Sequence, residues 1–273
     1  MKRTITTLLI ILSFFYFLAS IISWRESPYF RLIFLDVGQG DSVLIVTPHG
    51  QTILIDGGPD ASVLKKLGTV LPFWLRKIDL VVLTHAHDDH LAGLIDVLNR
   101  YQIKQVLVGN YNNETSLIKV WQDRLISSRS EIIKAKEGMI FNFSDNCSLK
   151  ILAAAEKATD ENDLSIVSLF SCLDKNIFLG GDASSKIEGQ INISKVDIAK
   201  ISHHGSITSN SQTFLDKIKP SLAVISVGIN NKFNHPSPII LNRLLTGGVN
   251  IFRTDQMGTV YFLANNKSII WTK

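Results

Sequence analysis

The chain has few cysteines and little net charge. Its 273 residues include only two cysteines, Cys147 and Cys172, which excludes a scaffold built on several disulfides and a cysteine-rich zinc finger. The formal net charge is +4, and residues 27–273 hold 25 basic against 23 acidic side chains. This balance excludes a strongly basic nucleic-acid-binding protein and an acidic disordered chain. The cysteine pair leaves one disulfide and two free thiols as open alternatives.

The sequence also lacks internal divisions. It contains no linker rich in proline, glycine or serine and no repeat of fixed period. With 45% hydrophobic and 19% charged residues, the chain should bury a sizeable core. Strand-like and helix-like segments alternate from residue 29 onward, so we expect one α/β domain over residues 27–273, with a mixed sheet and helices packed outside it.

One long apolar run begins the sequence. Residues 8–22 are apolar and follow Met1-Lys2-Arg3, a pattern that is typical of an export signal. A helix of that length rises about 22 Å, less than the roughly 30 Å hydrocarbon core, although residues 5–24 would make a feasible span. We therefore predict that residues 1–26 are a signal peptide, or an uncleaved anchor that contacts the membrane through residues 5–24. Both alternatives place the body outside the cell, either extracellular or anchored on the outer face of the cell membrane.

A cluster of histidines and aspartates lies between a predicted strand and a predicted helix. His85 and His87 are two residues apart, so in an extended loop they face the same side and can grip one metal ion. Asp89 and His90 lie at the turn into the helix and can face a second ion. Imidazole and carboxylate together suit Zn²⁺, Mn²⁺ or Fe. The alternative is a solvated polar loop, which we disfavour because three of the seven histidines fall within six residues.

Two later segments also end predicted strands and carry candidate ligands. Asp182 could bridge two metal ions, or it could cap the helix that follows. His203 and His204 are adjacent, so in an extended chain they point to opposite sides. We predict His204 as a metal ligand and His203 as a helper that faces the substrate, with the reverse order left open.

Several other polar residues lie near predicted strand ends. His235 precedes a helix, and both a structural and a substrate role remain open. Ser206 and Ser209 supply short donors suited to an anionic oxygen, or they cap the next helix. Glycine-rich turns carry three further carboxylates, those of Asp36, Asp41 and Asp56. We expect these carboxylates to pin loops or to orient ligand imidazoles rather than to bind metal themselves.

Eight ordered segments of the sequence resemble a known family. They are FLDVGQGDS at 34–42, ILIDGG at 53–58, LTHAHDDHLAG at 83–93, NDLS at 162–165, LGGD at 179–182, ISHHGSITS at 201–209, NHP at 234–236 and FRTDQMG at 252–258. The chain thereby resembles the metallo-β-lactamase superfamily of binuclear hydrolases and, within it, the C-terminal hydrolase domain of ComEC-type competence proteins. The resemblance implies an αββα sandwich, with mixed β-sheets and helices on the outer faces.

The resemblance also implies a set of metal ligands. They are His85, His87, Asp89, His90, Asp182 and one of His203 and His204, and they would hold two divalent ions, Zn or Mn. The superfamily often places a further histidine between the first cluster and the bridging aspartate, and no histidine occurs between His90 and His203. Asn162 or Asp163 could supply an oxygen ligand instead, which would shift the preference toward Mn²⁺.

The function implied by the resemblance is that of an exported phosphodiesterase or nuclease. The substrate would be a phosphodiester such as DNA or a phosphorylated cell-surface polymer, attacked at phosphorus by a metal-activated hydroxide. We assign catalytic roles to Asp89, His203 and His235, with His203 or His235 protonating the leaving alkoxide. Two alternatives remain, which are a metallo-hydrolase of a lactone, thioester or β-lactam and a metal-binding surface module without turnover. A transport role is not implied for this chain, because no apolar run after residue 24 is long enough to cross a membrane.

Overall fold

Alternate side chains of the strands are buried in two different apolar cores. A computed structural model describes residues 2–112, 114–144 and 146–272 of the protein. In the first strand, Phe30, Leu32 and Phe34 face one core, while Ile33 faces another core on the opposite side of the strand. Because strand side chains alternate between faces, both faces of this sheet are covered.

The first sheet contains the amino-terminal strands and the last two strands of the described residues. In spatial order its strands are β15 (Ile269–Thr272), β14 (Val260–Ala264), β1 (Phe30–Phe34), β2 (Val43–Val46), β3 (Thr52–Ile55), β4 (Lys77–Leu83), β5 (Gln102–Val108) and β6 (Glu131–Lys134). The pairs from β3 to β6 are parallel, and the remaining pairs are antiparallel. The sheet is therefore mixed.

The second sheet is also mixed. In spatial order its strands are β13 (Asn250–Arg253), β12 (Leu222–Ile225), β11 (Ile198–Lys200), β10 (Lys175–Leu179), β9 (Val167–Cys172), β8 (Ser148–Ala153) and β7 (Ile140–Asn142). The pairs from β10 to β13 are parallel. The pairs from β7 to β10 are antiparallel.

Helices cover the outer face of each sheet. They are α2 (Ser62–Val70), α3 (Asp88–Arg100), α4 (Ser116–Ser127), α5 (Ser185–Gln190), α6 (Gln212–Ile218), α7 (Pro238–Thr246) and the short α8 (Thr254–Met257). The central core joins residues of both sheets, a second core joins the first sheet to α2, α3 and α4, and a third joins the second sheet to α5, α6 and α7. This four-layer arrangement confirms the αββα sandwich, with two sheets where the residue pattern alone indicated one.

The amino-terminal apolar run forms one long helix, α1 (Lys2–Arg25). Its segment Thr4–Trp24 is long and apolar enough to cross a membrane, a criterion that signal sequences also meet. The helix ends against the first sheet, where Trp24 packs partly buried beside the second core.

The residue pattern missed three edge strands, β6, β7 and β15. Their side chains are mostly exposed or only partly buried, so they lack the apolar alternation that marks a half-buried strand. In α3, Asp88 and Asp89 are polar residues of the first turn, so the apolar periodicity begins only at Leu91, although the helix begins at Asp88. This difference places Asp89 and His90 on the helix itself.

The two cysteines form a disulfide that joins neighbouring strands. Cys147 immediately precedes β8, and Cys172 is the last residue of β9. Ser148 and Ser171 are partners in the antiparallel register, so the two cysteines are adjacent across the strands. The structure thus resolves the open alternatives in favour of a bridge, which is buried in the central core.

A close approach of α3 to the loop after β3 fixes the position of this helix. A Cβ atom added to Gly93 would lie 2.0 Å from the carbonyl oxygen of Gly57 and 2.7 Å from that of Asp60. The amide of Gly93 donates to the carbonyl of Gly58 at 3.0 Å, and the amide of Gly57 donates to the carbonyl of His90 at 2.8 Å. Only glycine at position 93 permits this contact.

We expect Gly93→Ala to destabilise the protein by about 1–3 kcal/mol, because the added methyl group overpacks against backbone atoms. Gly68→Ala is the matched control, since Gly68 lies in α2 with no atom within 4 Å of an added Cβ. The control should be neutral or stabilising by up to about 1 kcal/mol. The measurement is the midpoint of urea unfolding, and equal shifts in the two variants would contradict this account of the contact.

Candidate metal centre

The candidate ligands meet where strands of both sheets end. Asp56 follows β3, and His85 and His87 follow β4, while the first turn of α3 carries Asp89 and His90. From the second sheet, Asp182 follows β10, and His203 and His204 follow β11. Parallel strands direct their carboxyl ends to one edge, and the two edges face each other here.

The carboxylate of Asp182 lies at the centre of the cluster. Its Oδ2 atom is 3.3 Å from Nε2 of His90 and 3.3 Å from Nε2 of His204. The same oxygen is 4.0 Å from Nε2 of His85 and 4.0 Å from Nε2 of His203. The residue that caps α5 is Ser184, so Asp182 is not the helix cap. A bridging role for this carboxylate stays a prediction.

Among the described residues, four groups of three place a ligand atom from each member within 4.8 Å of the others. The groups are His85 with His90 and Asp182, Asp89 with His90 and His204, Asp41 with Asp56 and His90, and Asp41 with Asp182 and His204. Asp41, His90, Asp182 and His204 each belong to more than one group. Two ions held side by side would require shared residues of this kind.

The imidazole of His90 is oriented by Asp56. The Nδ1 atom of His90 lies 2.8 Å from Oδ2 of Asp56, and the other ring nitrogen faces Asp182. Asp56 also accepts hydrogen bonds from the backbone amide and the hydroxyl of Thr84, at 2.8 and 2.7 Å. As predicted for this carboxylate, it fixes the ring of a candidate ligand.

His85 and His87 lie side by side, as their spacing predicts. Nε2 of His85 is 3.1 Å from Nδ1 of His87, and the His85 ring is buried. Burial lowers the pKa of His85 well below its usual value, and the neighbouring His90 lowers it further. The neutral imidazole that results is the form that binds metal. His87 is more exposed and borders the open side of the cluster.

His203 and His204 lie in a tight turn rather than in an extended chain. Their φ angles are 51° and 52°, in the left-handed region, within the 3₁₀ turn Ser202–Gly205. The turn directs His204 inward, where its Nδ1–H donates to the carbonyl of Ser226 at 2.8 Å. This leaves Nε2 of His204 free to bind a cation, 3.3 Å from Oδ2 of Asp89. The side chain of His203 remains 24% exposed, and the division of roles between the two histidines stays a prediction.

Sequence reasoning missed one functional residue, Lys200. This lysine is buried at the end of β11, forms an ion pair with Asp41 and donates to the carbonyl of Gly181 at 2.8 Å. Its Nζ atom also lies 3.5 Å from Oδ1 of Asp182. The segment VDIAKIS is mostly apolar and indicates a buried strand, so its single lysine would be buried too. Because lysine is almost never fully buried without a partner, this residue could have been predicted to pair with a carboxylate.

The electrostatics of the cluster fit a divalent cation. Burial by itself would lower the pKa of His204, but the negative charges of Asp182 and Asp41 raise it to about 10. His90 behaves in the same way, since Asp182 and Asp56 raise its pKa well above the usual value despite burial. The Nε2 atoms of both histidines are buried without a hydrogen bond of good geometry. Carboxylates that hold protons on buried imidazoles create a place where a metal ion can replace those protons.

The structure corrects the predicted substrate role of two serines. Ser209 is fully buried, and its hydroxyl donates to the carbonyl of Ala183 at 2.8 Å. Ser206 is buried as well, with its hydroxyl 3.0 Å from that of Thr208. Both hydroxyls are therefore engaged inside the protein, Ser209 with the segment after β10 and Ser206 within its own loop.

The two predicted extra ligands differ in their placement. Asp163 accepts a hydrogen bond from the backbone amide of Ser184 at 3.3 Å, and it belongs to none of the four groups found among the described residues. One oxygen of Asp163 thus contacts the start of α5, and Asp163 stays a predicted extra ligand. Asn162 has a buried side-chain oxygen without a hydrogen-bond partner in the described part of the chain. It stays a predicted oxygen ligand.

A small cavity of about 180 Å³ opens beside the cluster. His203 and His235 line it together, with ring centroids 5.7 Å apart. The ring of Phe233 stacks on His235, and the amide of His235 donates to Asn231 at 2.9 Å. His235 is thus held at the cavity wall, where it can meet a substrate.

Known proteins resemble this chain in sequence and in fold. Residues 35–128 match the family model of the metallo-β-lactamase superfamily. ComE operon protein 3 of Bacillus subtilis is 28% identical over 259 residues, which cover 85% of this chain and 33% of that protein. Recombination protein 2 of Haemophilus influenzae is 28% identical over 235 residues, covering 80% of this chain and 27% of that protein. The chain thus spans about a third of the length of the curated relatives that it matches.

A solved structure with the same fold is the metallo-β-lactamase fold protein YhfI from Bacillus subtilis. It superposes with a TM-score of 0.60 at 10% identity and covers 86% of this chain and all of that one. At this identity the likeness concerns the fold.

A buried carboxyl group supports the loop that carries the histidine pair. Glu188 accepts hydrogen bonds from the backbone amides of Asn210 and Ser211, at 2.8 and 3.4 Å. Burial raises the pKa of Glu188 from 4.5 to about 7, although these hydrogen bonds oppose the shift. The folded protein therefore holds a proton on Glu188 that the unfolded chain releases at lower pH.

We expect this group to make the protein less stable as the pH rises. Its contribution is fully present below pH 4.5 and is lost as the pH passes about 7, because the folded state binds the proton more tightly. Urea unfolding of Glu188→Gln should lack this part of the pH dependence, up to roughly 3 kcal/mol. A variant with the same pH profile as the unaltered protein between pH 4.5 and 8 would contradict the assignment.

Proposed function

We propose that this chain is a binuclear phosphodiesterase or nuclease on the outer side of the cell membrane, and the match of residues 35–128 to the family model of the metallo-β-lactamase superfamily supports this. The observation that carries the proposal is the carboxylate of Asp182, whose Oδ2 atom lies 3.3 Å from an imidazole nitrogen of each of His90 and His204. A carboxylate between two sets of imidazoles is the arrangement that a pair of cations requires.

Two of the groups suggest neighbouring places for cations. His85, His90 and Asp182 could hold one ion, with His87 beside His85, and Asp89, His90 and His204 could hold the other. Divalent ions so bound lower the pKa of water and neutralise charge on phosphate oxygens. Both Zn²⁺ and Mn²⁺ suit a donor set of imidazoles and carboxylates.

His203 and His235 line the cavity, where either could transfer a proton to a leaving group. Burial lowers the pKa of both imidazoles, and for His235 the neighbouring His203 lowers it further. A protonated imidazole with a lowered pKa is a stronger acid and can pass its proton to a departing alkoxide. His203 is fixed for this by its Nδ1 atom, which lies 3.2 Å from the hydroxyl of Thr208.

The substrate class is supported by the relatives. Recombination protein 2 of Haemophilus influenzae and competence protein ComA of Neisseria gonorrhoeae, a further relative at 26% identity, are named after processes that act on DNA. This chain spans about a third of those proteins, so their names support the choice of substrate only. The substrate would be DNA or a phosphorylated polymer of the cell surface, and the bound cations would attract its negative charge.

Two features support the placement outside the cell. The apolar helix α1 suits either a signal peptide or an anchor. The Cys147–Cys172 disulfide is the second feature, because disulfides form and persist in oxidising compartments such as the cell exterior.

The proposal predicts that metal and phosphodiester hydrolysis are lost together in Asp182→Asn. The full chain in detergent should bind Mn²⁺ or Zn²⁺, measured by elemental analysis, and should hydrolyse bis-p-nitrophenyl phosphate and single-stranded DNA but not nitrocefin. Asp174→Asn is the matched control, since Asp174 is exposed in the turn after β9 and has a φ of 60°, which asparagine tolerates. Hydrolysis of nitrocefin alone would refute the phosphodiester assignment. Metal binding without turnover of any substrate would favour a binding module.

We expect His235→Asn to lower turnover of single-stranded DNA by about 10²–10⁴-fold while metal content stays unchanged, because the alkoxide leaves without its proton donor. The same variant should affect bis-p-nitrophenyl phosphate much less, since p-nitrophenolate departs without a proton. His49→Asn is the control, because His49 is exposed in the turn between β2 and β3. Equal losses on both substrates would argue against a proton-donor role for His235.

A further inference from the structure

A groove separates the end of α1 from the body of the protein. It has a volume of about 420 Å³ and is bordered by Tyr16, Ser20 and Trp24 of α1, by Arg31 of β1, and by Pro72 and Trp74 of the loop after α2. Its walls thus come from the apolar helix on one side and from the first sheet on the other.

An arginine without a salt bridge in the described part of the chain borders this groove. Nη1 of Arg31 is buried and has no hydrogen-bond partner among the described residues, and the same holds for Nε1 of Trp24, which lies beside Gly50. The guanidinium of Arg31 lies over the Trp24 ring, 4.0 Å from its centroid, so the two groups are held together. Burial lowers the pKa of Arg31, and the nearby Tyr261 opposes this shift. A cation that borders a groove without an acidic partner favours an anionic ligand.

The position of the groove along α1 indicates which anions can reach it. The segment Thr4–Trp24 has 21 residues, and at 1.5 Å per residue it matches a hydrocarbon core of about 30 Å. Trp24 and Arg31 would therefore lie at the level of the lipid headgroups. Tyr16, eight residues earlier, would lie roughly 12 Å deeper, beside the acyl chains.

Exposed aromatic residues continue the groove toward the apolar region. Phe73 is 77% exposed, and its ring lies 6.3 Å from that of Phe17 on α1. Trp74 packs edge-on against Trp24 at 6.3 Å. The groove is thus polar at the headgroup level and apolar below it, which is the polarity profile of a phospholipid.

We propose that this groove binds one anionic phospholipid of the outer leaflet, with its phosphate on Arg31, which rests on the Trp24 ring, and an acyl chain along α1 beside Phe73. The guanidinium can donate charge-assisted hydrogen bonds to phosphate oxygens. The proposal rests on the placement at the outer membrane surface given above, and it requires that α1 is retained as an anchor. It does not depend on hydrolase activity.

Native mass spectrometry of the full chain in a non-ionic detergent can test this site. Phosphatidylglycerol or phosphatidylcholine with identical acyl chains is added, and bound lipid is counted. We expect preferential binding of phosphatidylglycerol, which Arg31→Gln weakens by about tenfold or more because it removes a charge-assisted hydrogen bond. Trp24→Phe places a smaller ring beneath the guanidinium, so Arg31 is held less firmly, and it should weaken binding by a few fold. Arg129→Gln is the control, because Arg129 is exposed elsewhere on the surface, and it should bind like the unaltered chain.

Several outcomes would overturn the proposal. Undiminished lipid binding by both Arg31→Gln and Trp24→Phe would do so, as would an equal affinity for the two lipids. Displacement of the lipid by equimolar sn-glycerol 3-phosphate would indicate a site for a soluble phosphate instead. If the protein isolated from membranes lacked residues 1–26, one wall of the groove would be missing and the proposal would be overturned. Asp182→Asn, which disrupts the proposed metal centre, should still bind phosphatidylglycerol, so failure of this proposal can be told apart from failure of the proposed hydrolase.

Discussion

The structure depends on one interaction, the convergence of imidazoles on the carboxylate of Asp182. Four histidine nitrogens lie within 4.0 Å of a single oxygen of this residue, in surroundings where charges are poorly solvated. Buried charges require partners, so the rest of the fold must hold these groups at short range. The two sheets do this by directing their strand ends to the same edge, and α3 does it by packing closely at Gly93.

Much of the site could be predicted because its chemistry is local in sequence. His85, His87, Asp89 and His90 fall within six residues at a strand end, so their spacing alone indicates a shared site. Asp182 was ambiguous, because a carboxylate before a helix is also a common cap. Only the three-dimensional structure, which brings Asp182 beside the histidines of distant segments, removes that ambiguity. The four-layer fold followed from the family resemblance, since the pattern of apolar segments does not tell one mixed sheet from two.

Other features could not be read from the sequence for physical reasons. The left-handed turn at His203 and His204 is disfavoured for residues with a Cβ, so backbone propensity argues against it. It forms because its neighbours hold it, for example through the hydrogen bonds between Ser202 and Asn210. The serines that follow were misjudged, because a polar loop sequence does not reveal which hydroxyls point inward. The exposed edge strands lack a buried face and therefore leave no apolar alternation.

Lys200 also determines the charge that an incoming molecule would meet. The carboxylates of Asp41, Asp56, Asp89 and Asp182 together with the ammonium of Lys200 give the cluster a formal charge of minus three when its imidazoles are neutral. Two divalent cations would reverse this to plus one, whereas the same cluster without the lysine would be neutral. The internal ammonium thus gives the loaded centre a net attraction for anions that the nearly balanced surface of the protein does not provide.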